Sequence, residues 1–547
     1  MTDSNVTPEG IPDPEGPVTL IDTEYEVGQD NVEGRLGPFG FDIHNPVFLV
    51  SGLTIVVFVL YSLLFQQQAE TFFGWLRPFL TSTFDWFFVI SANIFVVFCL
   101  ALIVLPVGKV RLGGPEATPD FTYTGWFAML FAAGMGIGLM FFGVLEPVYH
   151  MAISQPLGTP SPFAEDGAII PANVAAAKEM GLAATIYHWG LHPWAIYAVL
   201  ALALALFTYN KGLPLTVRSA FYPIFGERVW GWTGHVIDTL AVFATLFGLA
   251  TSLGFGAQQA NAGLNHVFGV PNTITVQVIL IVGITAIALY SVVRGLDGGV
   301  KVLSEVNMVV AALLLLFVLL AGPTIAILQD FVTGLVAYGK DLPALSNPFG
   351  RSDTDYLHGW TTFYWAWWIS WSPFVGMFIA RVSRGRTVRE FIICVLLIPS
   401  LVCVLWMAVF GGVAIDQVLS EPATSAVKAQ VIDSYNPPMS LFAMLEGLPL
   451  SSITSVIAIV LVIVFFVTSS DSGSLVIDTI TAGGKIDAPV PQRVFWASFE
   501  GAVAIVLLIG GGLTALQAMV ISTGLPFTLI LLLMCFAIFR GLQTEPR

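Results

Sequence analysis

The sequence predicts an all-α membrane protein of twelve transmembrane helices, and three observations carry that prediction. Of 547 residues, 56% are apolar and only 10% charged, where soluble domains carry about 25% charged residues. Mean hydropathy is +0.83, which leaves too little polar surface to cover several soluble domains. The apolar residues fall into twelve runs near the roughly 20 residues that a helix needs to cross the hydrocarbon core. None shows the apolar–polar alternation of outer-membrane strands. This composition excludes a cytosolic enzyme and a secreted scaffold. The net charge of −15 also excludes a nucleic-acid partner, which would require clustered Lys and Arg.

An acidic segment comes first. Residues 1–45 hold ten acidic side chains and one basic, Arg35, among several prolines, and are predicted to be a disordered cytoplasmic tail. The start is acidic rather than basic then apolar, so no cleavable signal peptide is expected. Two spans, Val47–Gln66 and Phe84–Leu105, occupy residues 46–122. Five more, Trp126–Tyr149, Ile186–Phe207, Val236–Ala260, Val276–Val293 and Val302–Leu320, make a first five-helix group over residues 123–322. Within residues 323–357, the stretch Thr324–Leu342 is too polar to span and is expected to lie flat at the periplasmic interface. The runs Thr361–Arg381, Phe391–Val413, Ile453–Ser470, Phe495–Gly510 and Leu513–Phe539 make a second group over residues 358–539. Residues 540–547 form a short cytoplasmic tail.

Loop charges orient this frame. One side carries Lys109 and Arg111; Lys211, Arg218 and Arg228; Arg294 and Lys301; Arg381, Arg384, Arg386 and Arg389; Lys485 and Arg493; and Arg540 and Arg547. The other side carries only Arg77, Lys178, Lys340, Arg351 and Lys428. The positive-inside bias makes the first side cytoplasmic, with both termini there, in the inner or plasma membrane of the cell. Cys99, Cys394, Cys403 and Cys535 lie in apolar runs without a CxxC pair, and read as buried structural thiols.

Two spans are abnormal. The third contains Gly134, Met135, Gly136, Ile137 and Gly138, then Gly143 and Glu146-Pro147; the eighth contains Trp365, Trp367, Trp368 and Trp371 with Ser370, Ser372, Pro373 and Gly376. Glycine and proline interrupt helices, and interrupted segments at corresponding positions of two halves point to a transporter's midplane site. The two spans are five apart, which fits two five-helix repeats each opening on an interrupted helix. Close packing through small residues is the competing reading of Gly134–Gly138.

Trp367 and Trp371 are one helical turn apart and share a face, and the fourth span adds Trp189, Trp194 and Tyr197. Two aromatic clusters opposite a broken helix, with no acidic residue among them, suggest a cage for quaternary ammonium, held by cation–π attraction of up to ~2 kcal/mol per ring. Helix packing is the alternative. In the tenth span, Thr468 and Ser469 offer hard neutral oxygens suited to Na⁺, or else bond back to their own helix. Asp471 is a functional candidate by its depth, or pairs with an arginine of the 381–389 loop. His188 and His192 read as hydrogen-bonded core more than as a proton relay.

The stretch Gly-Met-Gly-Ile-Gly-Leu-Met-Phe-Phe-Gly from Gly134 and the long motif from Gly359 to Phe391, with its Trp-Ala-Trp-Trp-Ile-Ser-Trp-Ser-Pro core, resemble the betaine/choline/carnitine transporter family over roughly residues 45–539. The resemblance implies a LeuT-like fold with inverted repeats, a homotrimer, and transport of trimethylammonium or related compatible solutes. It places a substrate site at Trp367, Trp368 and Trp371 beside Gly134, Met135, Gly136 and Gly138, with an aromatic box of Trp189, Trp194, Tyr197 and Trp368. It implies one sodium site at Ala132, Met135, Phe465, Thr468 and Ser469, and a second at Thr245 and Phe374. There the chain departs from the family pattern, because Leu249 stands one turn after Thr245 where a second hydroxyl is expected. A long basic C-terminal tail, carried by osmosensing members, is not expected to follow Arg540.

The expected function is Na⁺-coupled symport of glycine betaine or a related solute, with Na⁺ as coupling ion and no organic cofactor. Glycine at position 138 is expected to leave room and no charge for a zwitterion, where an acidic residue would favour choline. A proton-coupled or exchange-type carrier of choline or carnitine is the alternative. An intramembrane enzyme using Asp471 or a serine lacks a GxGD or GxSG motif. A channel would need a filter of repeated rings.

Overall fold

A computed structural model describes residues 11–37, 39–294 and 297–546. The first ten residues of the acidic segment, the Lys301 side chain and Arg547 lie outside the described residues. The chain is predominantly helical. A hairpin of β1 (Asn31–Leu36) and β2 (Phe39–His44) precedes α1 (Val47–Leu64), α2 (Gln66–Val104), α3 (Tyr123–Gly134), α4 (Ile137–Tyr149), α5 (Pro171–Trp189) and α6 (Leu191–Ala205). Then come α7 (Tyr222–Phe225), α8 (Trp232–Phe268), α9 (Ile274–Arg294), α10 (Asp297–Ala321), α11 (Thr324–Leu345), α12 (Thr354–Tyr356) and α13 (Thr362–Arg381). The remainder is α14 (Val388–Ser420), α15 (Ser440–Glu446), α16 (Ser451–Thr481), α17 (Val490–Ile509) and α18 (Gly512–Gln543). Among the described residues, eleven helices are long and apolar enough to cross a membrane. The segment at the eighth apolar run, α13, is 20 residues long but is not one of the eleven. It packs centrally, against α6, α8 and α18.

Three expectations change. The eighth run is not interrupted: α13 is one helix through Pro373, preceded by a single π-helical turn at Leu357–Thr361. Proline removes the N–H that would bond the carbonyl four residues back, and the Ser372 hydroxyl takes over by donating to Ile369 O at 2.7 Å. The fourth run, read as continuous, is instead broken at Gly190 between α5 and α6. The Gly190 N–H closes α5 on Ile186 O at 2.7 Å, and Pro193 sits in the first turn of α6, where an N–H has no helical partner to lose.

The acidic segment, expected to be disordered, is ordered from Ile11 in the described residues. β1 and β2 pair antiparallel from Asn31 opposite His44 to Leu36 opposite Phe39. Asn31 Nδ2 donates to Ala482 O at 2.9 Å, and Lys485 Nζ meets Asp42 Oδ2 at 2.5 Å. Buried His44 Nε2 accepts from Arg218 Nη2 at 2.9 Å. Upstream, Tyr25 stacks on Trp230 at 4.3 Å, and Glu15 takes Arg384 Nη2 at 2.6 Å. The acids find basic loops that are distant in sequence, which composition does not reveal. The stretch 324–342 falls within α11, which packs on α5 and α14.

Candidate functional site

The third apolar run divides where its glycines predict. α3 ends at Gly134, Met135 and Gly136 are extended, and α4 starts at Ile137. The first N–H groups of α4 then have no intrahelical partner and lie at the positive end of its dipole. A cavity of about 430 Å³ opens against this break. It is lined by residues 133–139 and by Trp189, Tyr197, Ser252, Trp367, Trp368 and Trp371. The glycines are not equivalent. A Cβ on Gly136 would meet no heavy atom within 4 Å, whereas one on Gly138 would lie 2.9 Å from Trp189 Cη2 and 3.0 Å from Trp367 Cη2. The room expected beside Gly138 is therefore already taken by two indole edges.

The aromatic walls come from α5, α6 and α13. Trp368 packs edge-on to Trp189 at 5.2 Å and to Tyr197 at 5.3 Å. Trp194 stands behind them, edge-on to Tyr197 at 5.3 Å and 3.4 Å from a Cβ on Gly134; it is not among the cavity's lining residues. Trp367 donates to Ser252 Oγ at 3.2 Å and Trp371 to Gly248 O at 2.9 Å, so both indoles are anchored to α8. Trp365 faces away from the cavity and stacks on His192. Spacing on α13 brings out Trp367 and Trp371 together, as read from sequence.

The aromatic cluster does contain an acid, contrary to the sequence reading. Glu146, on α4, is fully buried. Its Oε2 accepts from Trp189 Nε1 at 2.7 Å and Tyr364 Oη at 2.6 Å; its Oε1 lies 2.5 Å from His188 Nδ1 and 3.0 Å from His150 Nε2. Glu146, His150 and His188 are close enough together to suggest a metal centre. All four of their ring nitrogens are instead engaged by Glu146, Thr361 and Ser154, which leaves no lone pair directed at an ion. The signal for Glu146 was in the sequence, as an ionisable residue at membrane depth. His192 hydrogen-bonds Asn93 at 2.9 Å.

A second cavity, of about 1020 Å³, shares Ala133, Met135 and Trp371 with the first and extends to Arg381. Ala132, Met135, Phe465, Thr468 and Ser469 all line it, as does Phe374. The Thr468 hydroxyl donates to Val464 O at 3.0 Å. Thr245 is not among the lining residues, and its hydroxyl donates to Ala241 O at 2.7 Å. Leu249 fills the space over Gly473, where a Cβ would come within 2.2 Å of it. The first proposed set thus lines one cavity, and of the second pair Phe374 lines it while Thr245 is not among its lining residues. Arg384 pairs with Glu15 and Asp120, and Arg386 with Glu390.

The model of the betaine/carnitine/choline family transporters matches residues 46–547. A glycine betaine/proline/choline transporter of Vibrio parahaemolyticus is 61% identical, over all of this chain and 98% of its own length. A second protein of that organism, glycine betaine transporter 1, is 56% identical over 96% of this chain and 98% of its own. A glycine betaine transporter of Bacillus subtilis is 43% identical over 86% of this chain and 89% of its own. With a broken helix facing a tryptophan-walled cavity and a family match from the first membrane helix onward, this multi-pass chain is not an enzyme but belongs to the betaine/carnitine/choline transporter family.

Proposed function

We propose that this protein is a secondary active transporter that carries glycine betaine, or a closely related compatible solute, into the cell together with Na⁺ by alternating access. The observation that carries this reading is the cavity at the α3–α4 break. It pairs π faces with free backbone donors. A quaternary ammonium donates no hydrogen bond and is held by ring faces; its carboxylate is held by N–H groups at a helix N-terminus. The names of the relatives support the same substrate class. In this reading α13 is the twelfth span, in a LeuT-like frame of two inverted five-helix repeats, assembled as a homotrimer in the inner membrane with cytoplasmic termini.

Na⁺ is favoured over H⁺ as the coupling ion because the second cavity offers Thr468, Ser469 and Ser472 hydroxyls and no carboxylate among its lining residues. Thr245 and Phe374 are not used, so the proposed route takes one ion at Ala132, Met135, Phe465, Thr468 and Ser469. Uptake of labelled betaine into proteoliposomes, with and without an inward Na⁺ gradient, tests the reading. Thr468→Ala/Ser469→Ala is expected to raise the Na⁺ concentration for half-maximal uptake at least about tenfold, a loss of ~1.4 kcal/mol of ion binding. Normal uptake by that variant at low Na⁺ would place the ion elsewhere. Uptake driven equally by a proton gradient would favour the proton-coupled alternative.

A further inference from the structure

Trp189 bridges the wall of the central cavity. Its N–H end rests on Glu146 Oε2 at 2.7 Å, and its far edge, Cη2, is the atom that a Cβ on Gly138 would meet. Four donors converge on Glu146: the Trp189 indole, the Tyr364 hydroxyl and one nitrogen each of His188 and His150. A carboxylate has about four acceptor sites and no proton to give, so this arrangement fills it as an anion. The other nitrogens of His188 and His150 face the hydroxyls of Thr361 at 2.9 Å and Ser154 at 2.5 Å. With the two hydroxyls donating, both imidazoles satisfy every bond as neutral rings that donate to Glu146. With neutral rings none of the four partners is a cation, and the group has no solvent exposure.

We propose that Glu146 is a positioning residue that sets the preference of the site for an onium head, acting through Trp189. It fixes the indole plane at the cavity wall and puts a negative charge behind the ring, which enriches the π face that a quaternary ammonium meets. The inference rests on the transport reading above and deepens it. A buried charge acts at long range in a low-dielectric interior. For choline, a net cation, its attraction is uncompensated; for betaine, repulsion of the substrate carboxylate cancels part of it. Removing the charge therefore penalises choline more than betaine.

The test uses labelled betaine uptake by the full-length protein in proteoliposomes, with choline as inhibitor. Glu146→Gln is expected to raise the choline inhibition constant about tenfold and the betaine KM by less than about threefold. Trp189→Phe, which keeps a ring and loses the N–H, is expected to move the ratio of the two constants in the same direction. The double variant is expected to move it no further, the signature of two residues acting as one. Equal rises in both constants would mean that Glu146 only holds helices together, and would overturn the proposal. So would additive shifts in the double variant, or an unmodified protein that choline does not inhibit. Should Glu146→Gln fail to fold, Trp189→Phe decides alone, and an unchanged ratio sinks the idea. An unmodified protein that takes up no betaine defeats the transport reading itself, and this inference falls with it; the other outcomes leave that reading standing.

Discussion

Gly136 and Gly138 stand two residues apart on one broken stretch, yet they are under different constraints. Gly136 has an extended backbone that any residue adopts and open space where a Cβ would go, whereas Gly138 faces two indole edges at 3.0 Å or less. Gly136→Ala is expected to leave the betaine KM within about twofold, and Gly138→Ala to raise it about tenfold or more, because overpacking a fixed site costs ~1–3 kcal/mol. A KM for Gly138→Ala equal to that of the unmodified protein would show that the rings give way freely. Trp371→Leu removes one π face from the cavity and is expected to weaken apparent betaine affinity about tenfold; a binding isotherm in detergent reads this directly. The indoles of Trp367 and Trp371 were legible in the sequence because a helix places residues four apart on one face. Glu146 was visible only as a buried-looking acid. His150 stands one turn on, but His188 and Tyr364 are 42 and 218 residues away, and no local pattern brings those two to it.

The hairpin shows what composition alone misses at the level of an element. Burial, then the neighbouring Arg218 and His235, hold His44 far below the usual histidine range, at about 3. The docked hairpin therefore binds no proton at His44 where a released one does. Stability is present in full above the unfolded value near 6.5 and is lost as pH falls towards 3. Between pH 7.5 and 5 this favours release of the hairpin by about 2 kcal/mol. Limited proteolysis at residues 31–44 is expected to accelerate over that range, and His44→Gln, neutral throughout, to flatten the dependence. Cleavage that does not vary with pH in the unmodified protein would show that His44 is not the group that ties the hairpin down. Apolar run length was enough to place most of the helices. The break at Gly190 had a signal, glycine followed three residues later by proline. The continuity of α13 had none in run length, because it depends on the Ser372 hydroxyl capping the carbonyl that Pro373 leaves free.

Across the whole molecule, the described part of the acidic segment lies against the loops that carry the basic residues. Glu15 bonds backbone to backbone with Gly113 and Glu116 while its carboxylate meets Arg384. Two sequence-distant loops of that surface are thus held by one residue. The two helix breaks have a broader consequence. On one side of them α4 is riveted to α5 through Glu146, His188 and Trp189; on the other, Gly134 at the end of α3 lies against Trp194 of α6. Two spans of the bundle are thus jointed, at Met135–Gly136 and at Gly190, while α2, α8, α13, α14, α16 and α18 run past them as single helices. Turning a few backbone dihedrals there tilts α4 and α5 together against α3 and α6, within a frame of unbroken helices. A cysteine pair cross-linking α4 to α5 is expected to leave betaine uptake intact, and a pair clamping α3 to α4 across the joint to arrest it. Arrest by both would mean that α4 and α5 move against each other and that the joints are not where the molecule yields.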